Sequence, residues 1–229
     1  FFRRRASGVQ RQAVLSMRGT RIEIRPGALR HNARRARTLA DGGEVFAMIK
    51  ADGYGHGLTL AADALAGEVD GFGVAVLEEA RALREHGISE PILVAEGFFD
   101  RAELEQARAL SLEMVVHSPW QVALLQDNPG PLRLWLKLNT GMNRLGLNWR
   151  DDLSAMVADL GLVTLMSHLA SADEDVALNA VQCARFRDIR QAIPARRYSL
   201  ANSAGICRGA DFHFDLTRPG LALYGGVPH

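Results

Sequence analysis

The sequence predicts an α/β protein, a parallel (β/α)8 barrel of the TIM type, on three observations. Short β-rich runs alternate with helical patterns from Arg21 onward, as they do in successive βαβ units. Most of these runs are continuously apolar, which suits strands covered on both faces. Polar and glycine-rich signals recur at the ends of many runs instead of clustering in one G-x-G-x-x-G turn, and this favours a closed barrel over an open doubly wound sheet.

The elements follow in order. Residues 1–16, FFRRRASGVQRQAVLS, begin without Met and hold four arginines with no acid and no apolar stretch. They are read as an upstream or disordered segment, with an Arg-rich transit segment as the alternative, and the barrel is assigned to 17–229. Strands are expected at 21–25, 45–50, 71–76, 91–97, 112–118, 132–139, 162–168 and 197–203. Helices are expected at 27–40 and 77–86, where Ala and Leu recur at helical spacing with Arg and Glu outside, and at 177–192. The stretch DRAELEQARAL opens with Asp100 and carries Glu103 three residues on, a capping-box pattern. The run RPGLALYG at 218–225 reads as a last strand-like stretch.

Composition excludes several classes. A chain of 229 residues, 48% hydrophobic and 23% charged, is globular and long enough for one large core. Its 27 basic and 26 acidic residues leave a net charge of +1, so no global field points to nucleic acid or an anionic membrane. Every apolar run is interrupted well before the ~18 residues a bilayer span needs. Two cysteines, Cys183 and Cys207, make neither a disulfide framework nor a zinc site, and a reducing, cytoplasmic setting is expected. His31, His86, His117, His213 and His229 lack metal-ligand spacing, so no metal is expected.

The segment VFAMIKADGYGHG carries the most chemistry. An apolar strand delivers Lys50 to its carboxyl end, followed by a glycine-rich turn with Tyr54 and His56. A lysine desolvated at that end of a barrel strand can act as a nucleophilic amine and form a Schiff base. On placement alone such a lysine more often snorkels to solvent.

K-A-D-G-Y-G-H-G resembles the motif around the cofactor lysine of alanine racemases, which are fold-type III pyridoxal-phosphate enzymes. LKLNTGMNRLG at 137–146, SHLASAD at 167–173, ANSAGI at 201–206 and RPGLALYG at 218–225 resemble further signatures of that family, in the same order. The resemblance covers the family's amino-terminal barrel and leaves out its carboxy-terminal β-domain.

The resemblance implies pyridoxal 5'-phosphate as cofactor and alanine as substrate. Lys50 would carry the cofactor and serve one face of the substrate as acid and base. Tyr54 would bond the cofactor phosphate, and Asn202, Ser203, Gly220 and Leu221 would cradle it. Arg218 would face the pyridine nitrogen; because arginine can only donate, that nitrogen must accept and stay unprotonated. Arg144 would contact the phenolic oxygen and position the substrate carboxylate. Lys137 matches a lysine that many members carry carbamylated, and His168 one that lies near the cofactor ring. Asn139 departs from the Asp of many relatives, and His56 is assigned to the turn without a catalytic role.

The family's second acid and base is a tyrosine of the carboxy-terminal domain, supplied by the other subunit of a head-to-tail homodimer. Tyr198 and Tyr224 do not match it. The chain is therefore expected to be a truncated piece of a longer product, supplying D-alanine for peptidoglycan in its complete form. Two alternatives stay open: a single-domain pyridoxal-phosphate homeostasis protein without racemase activity, and an inactive remnant.

Overall fold

The computed structural model describes residues 23–226, apart from 152, 154, 155, 157–159 and 161–163. Helix α1 (Pro26–Leu39) comes first, opened by a proline whose missing N–H costs a helix nothing at that position. Strand β1 (Glu44–Met48) follows, then α2 (Lys50–Tyr54), a single turn, and α3 (Leu58–Leu65). Strands β2 (Gly71–Val74), β3 (Ile92–Val94) and β4 (Glu113–Val116) alternate with α4 (Leu77–Glu85), α5 (Arg101–Ala109) and α6 (Pro119–Asp127). Then come β5 (Arg133–Asn139), the two-residue β6 (Leu147–Asn148), β7 (Thr164–Met166) and α7 (Ala177–Ala192). The chain closes with β8 (Arg197–Ser199), the short helix α8 (Ser203–Cys207) and β9 (Leu216–Thr217).

All pairings are parallel. The ring runs β1, β2, β3, β4, β5, β7, β8, β9 and returns to β1 through Glu44 opposite Leu216 and Val45 opposite Thr217. Strand β6 lies outside the ring against the end of β5, with Leu147 opposite Leu138. The result is the expected (β/α)8 barrel, with one change of membership. Of the strand expected at 21–25, residues 21 and 22 lie outside the described part, and 23–25 form no strand but carry an exposed Glu23–Arg25 ion pair. The ring is instead completed by β9. Nor is 218–225 a strand: Pro219 has no N–H for a ladder, and residues 221–224 turn as a 3-10 helix that buries Leu223 near α1, where Asn32 Nδ2 donates to its carbonyl at 3.0 Å. A short apolar run does not distinguish these cases. The expected segment 1–16 lies outside the described residues.

Side chains alternate between the barrel interior and the helices. Phe46, Leu93, Val115, Trp135, Met166 and Leu216 fill the interior, with the Phe46 and Trp135 rings 5.4 Å apart. The two glycines of G-F-G-V in β2 make room for them. A Cβ on Gly71 would lie 2.7 Å from the Phe46 ring, and one on Gly73 would lie 2.3 Å from Met48 Sδ. Val45, Ala47, Phe72, Val74, Ile92 and Val94 point outward into the shell made with Leu29, Leu65, Leu83 and Leu104. Each large side chain removed from water there is worth roughly 1.5–3 kcal/mol. Half of the expected capping box forms: Asp100 Oδ1 accepts the Glu103 amide at 2.8 Å, while Glu103 Oε2 reaches one residue further back and accepts the Phe99 amide at 2.9 Å instead of that of the cap.

Candidate active site

Strand β1 ends at Met48, two residues before Lys50, so this side chain enters a cavity of about 340 Å³ at the carboxyl end of the barrel. Beyond it the chain turns left-handed: Ala51, Asp52, Gly53 and Tyr54 have φ of +53°, +53°, +62° and +53°. Each non-glycine residue in that region costs on the order of 1–2 kcal/mol. The turn brings Tyr54 to the same cavity, one turn on from Lys50. His56 lies beside it, its ring 4.7 Å from Tyr224, and does not line the cavity.

The opposite wall is built around α8. Asn202 caps the helix, its Oδ1 accepting the Gly205 amide at 2.9 Å. Ser203 Oγ accepts the amides of Gly220 at 2.9 Å and Ala222 at 3.1 Å, which leaves its hydrogen free to donate. The amides of Ala204 and Leu221 have no protein acceptor among the described residues. Tyr54 completes the wall. A Cβ on Gly220 would stand 2.3 Å from its hydroxyl, so only glycine lets the phenol approach. Burial pushes the Tyr54 phenol up, which keeps it a donor. A hydroxyl, a phenol and free amides around one space make a donor set for a phosphate-like anion.

The cavity is strongly cationic. Arg218 is buried, and its guanidinium donates to Ser167 O at 2.6 Å, Leu200 O at 3.3 Å and Ser199 Oγ, all neutral acceptors. Burial lowers its pKa to about 9, which still leaves it a cation and a pure donor at neutral pH. Lys137, also buried, is lowered to about 8 by burial and then by Arg218, Arg144 and Lys50. Burial and the same cations push His168 down to about 3, so its imidazole is neutral. Arg144 sits exposed on the loop after β5, steered there by Asn139, whose Oδ1 accepts the Gly141 and Asn143 amides at 3.1 and 3.0 Å. Among the described residues, none of Lys50, Lys137, Arg144 and Arg218 forms an ion pair.

The cavity thus gathers all ten residues named from sequence: Lys50, Tyr54, Lys137, Arg144, His168, Asn202, Ser203, Arg218, Gly220 and Leu221. Sequence reasoning missed Asp173, its one acidic lining residue, and Ser199, which anchors Arg218. It also missed Tyr224, stacked on Tyr54 at 4.8 Å. One signal was in plain view: Lys50 and Lys137 are the only lysines among the 27 basic residues, and both face this cavity. No group of three His, Cys, Asp or Glu among the described residues could hold a metal ion, and no described helix is long and apolar enough to cross a membrane.

Comparison with known proteins gives the same direction. Residues 24–228 match the family described as alanine racemase, N-terminal domain. An alanine racemase of Alcanivorax borkumensis is 53% identical over 216 residues, 93% of this chain and 61% of that protein. The solved alanine racemase of Acinetobacter baumannii has a TM-score of 0.85 at 34% identity, covering 90% of this chain and 63% of that one. That of Bartonella henselae, solved with covalently bound pyridoxal phosphate, scores 0.80 at 30% identity over 90% and 60%. The chain spans about three fifths of the length of these relatives.

Proposed function

The chain belongs to the alanine racemase family, whose amino-terminal domain it matches over residues 24–228, and from that premise we propose that it is the pyridoxal-phosphate-binding barrel of an enzyme interconverting L- and D-alanine. The observation that carries the proposal is the convergence of five separate chain segments, with both lysines of the sequence, on one cationic cavity at the carboxyl end of the barrel.

The residues fit the cofactor. Ser203 Oγ–H, the free amides at Ala204 and Leu221 and the Tyr54 phenol would hold its phosphate, and Arg218 would donate to its ring nitrogen and keep that atom unprotonated. Asn202 and Gly220 shape the cradle, the first as helix cap and the second as the gap that admits Tyr54. When bound, pyridoxal phosphate supplies an electron-withdrawing ring that acidifies the α-hydrogen of an amino acid joined to it. Lys50 Nζ would take that proton and return it on the same face. Arg144, the exposed cation at the mouth, would orient the substrate carboxylate. Neutral His168 packs beside these cations without adding to their charge.

Lys137 has the setting of a carbamylated lysine. A buried amine lowered to about 8 among three cations is partly neutral and can add to carbon dioxide with loss of a proton. The carbamate anion so formed would replace a fourth positive charge with a negative one.

Inversion needs a second acid and base on the opposite face, and the described tyrosines do not offer one. Tyr198 is buried with its hydroxyl donating to Ile193 O at 2.7 Å, and burial pushes Tyr224 well up beside Tyr54. We assign that role to a tyrosine of the β-domain of a partner subunit in a homodimer. Exposed Phe99, Trp120, Leu145, Val176 and Leu221, each in a loop or first helical turn that follows a barrel strand, support a covered face around the cavity mouth. The two free cysteines support a reducing, cytoplasmic setting, and in a bacterium the product would supply D-alanine for peptidoglycan.

The test is isotope exchange. Loaded with pyridoxal phosphate in deuterated water, the chain is expected to exchange the α-hydrogen of one alanine enantiomer with retention, and to invert alanine at least about a hundredfold more slowly. A loaded chain that exchanges nothing would overturn the proposal.

A further inference from the structure

The turn from Lys50 to Tyr54 is left-handed at four successive positions, three of which carry side chains. Such a stretch persists where neighbouring contacts over-determine it. Backbone bonds from Gly53 N–H to Ile49 O at 2.8 Å and from Gly55 N–H to Ala51 O at 3.0 Å supply part of these contacts, and Asp52 and Glu79 supply the rest. Asp52 Oδ1 accepts the Leu58 amide at 2.7 Å and Asp52 O accepts the Gly57 amide at 2.8 Å, which ties the turn to the start of α3. Glu79, on the first turn of α4, reaches across from the next βα unit. Its Oε1 accepts the Asp52 amide at 3.2 Å and its Oε2 accepts the Ala75 amide at 2.9 Å. Ala75 directly follows β2, the strand paired with β1, so one carboxylate joins the ends of two neighbouring strands. Glu79 itself does not line the cavity.

We propose that Glu79 is a positioning residue for Lys50 and Tyr54, holding the left-handed turn that sets the amine and the phenol on one wall of the cavity. The inference rests on Lys50 as the cofactor lysine and deepens that reading. Positions four apart in a helical turn of either hand face the same way, so the two side chains converge while the turn keeps its conformation. Without the bond at Asp52 the amide loses its only described partner, and Ala51 and Asp52 are released toward ordinary negative φ.

The 229-residue chain provides the test through two readouts: borohydride-trapped pyridoxal phosphate on Lys50 against cofactor concentration, and cofactor-free amide hydrogen exchange across residues 50–58. Glu79→Ala is expected to raise the half-saturating concentration about tenfold, the effect of one lost hydrogen bond to a charged acceptor. It should also speed exchange at the Asp52 amide. Adding Ala51→Gly, which accepts positive φ without penalty, is expected to recover most of the loss. A role confined to capping α4 would not respond to a change at residue 51. Wild-type capture and exchange in Glu79→Ala, or a double variant as weak as the single one, would overturn the proposal. If Glu79→Ala does not fold, Glu79→Gln, with one acceptor oxygen in place of two, is judged by the same criteria. If the unmodified chain forms no adduct on Lys50, the cofactor reading fails and the exchange comparison alone decides whether Glu79 holds the turn.

Discussion

The two mouths of the barrel are built from the same kinds of residue and handle charge in opposite ways. At the amino end Glu44, Glu113, Arg133, Thr164 and Arg197 are each the first residue of a strand. Glu113, only 3% exposed in its side chain, accepts from Arg197 at 3.0 Å and from Trp135 Nε1 at 2.6 Å, with Arg133 at 3.6 Å. Arg197 also bonds Glu44 at 2.6 Å and lies over the Trp135 and Phe46 rings at 5.3 and 5.5 Å. At the carboxyl end Arg218 meets only neutral acceptors, and none of Lys50, Lys137, Arg144 and Arg218 pairs with a carboxylate among the described residues. The amino end closes its charges on themselves and plugs the barrel. Cations left unpaired in a cavity carry an energetic cost that a bound anion removes, so the carboxyl end is organised for a ligand at the expense of the ligand-free fold.

Breaking the paired end should produce the largest stability change. Glu113→Ala takes one of its two carboxylate partners from Arg197 and leaves the buried Trp135 Nε1–H without its acceptor, and is expected to cost about 3–5 kcal/mol in urea unfolding. The folded fraction should still capture cofactor on Lys50. Loss of capture without loss of stability would mean that the two ends are not separate in role.

Removing a charge from the unpaired end should do the reverse. Lys137 titrates near 8 when folded and near 10.5 when unfolded. Between those values the unfolded chain binds more protons, so stability is expected to rise with pH across that window, by about 2–3 kcal/mol. Lys137→Met should abolish this portion of the slope and raise stability at pH 7. An unchanged slope in urea titrations at pH 8 and 10.5 would show that Lys137 is not penalised by its neighbours.

Much of this contrast was legible in the sequence at one end only. The alternation of apolar runs with helical patterns identified seven of the ring strands, because each run is long enough to register as β-rich even where the ladder itself is three residues. Strand β9 escaped because Leu216 and Thr217 are too few to show a period, and 21–25 took its place through composition alone. The cavity residues were found because their motifs are contiguous: Lys50 with Tyr54, Asn202 with Ser203, Arg218 with Gly220 and Leu221. Glu79, Ser199 and the whole amino-end plug were not, because their partners are contributed by other strands and helices and leave no local pattern. The left-handed turn was equally hidden, since Ala51 and Asp52 give no sign of positive φ.

The central claim is that Lys50 is the cofactor lysine of an anion-binding barrel end, and adduct mapping tests it most directly. The chain is incubated with pyridoxal phosphate, reduced with borohydride, digested and examined by mass spectrometry. With only two lysines in the sequence, the assignment is unambiguous. The pyridoxyl group is expected on Lys50, and Lys50→Ala should lose it while keeping its circular-dichroism spectrum. An adduct on Lys137 instead, or none at all, would contradict the account.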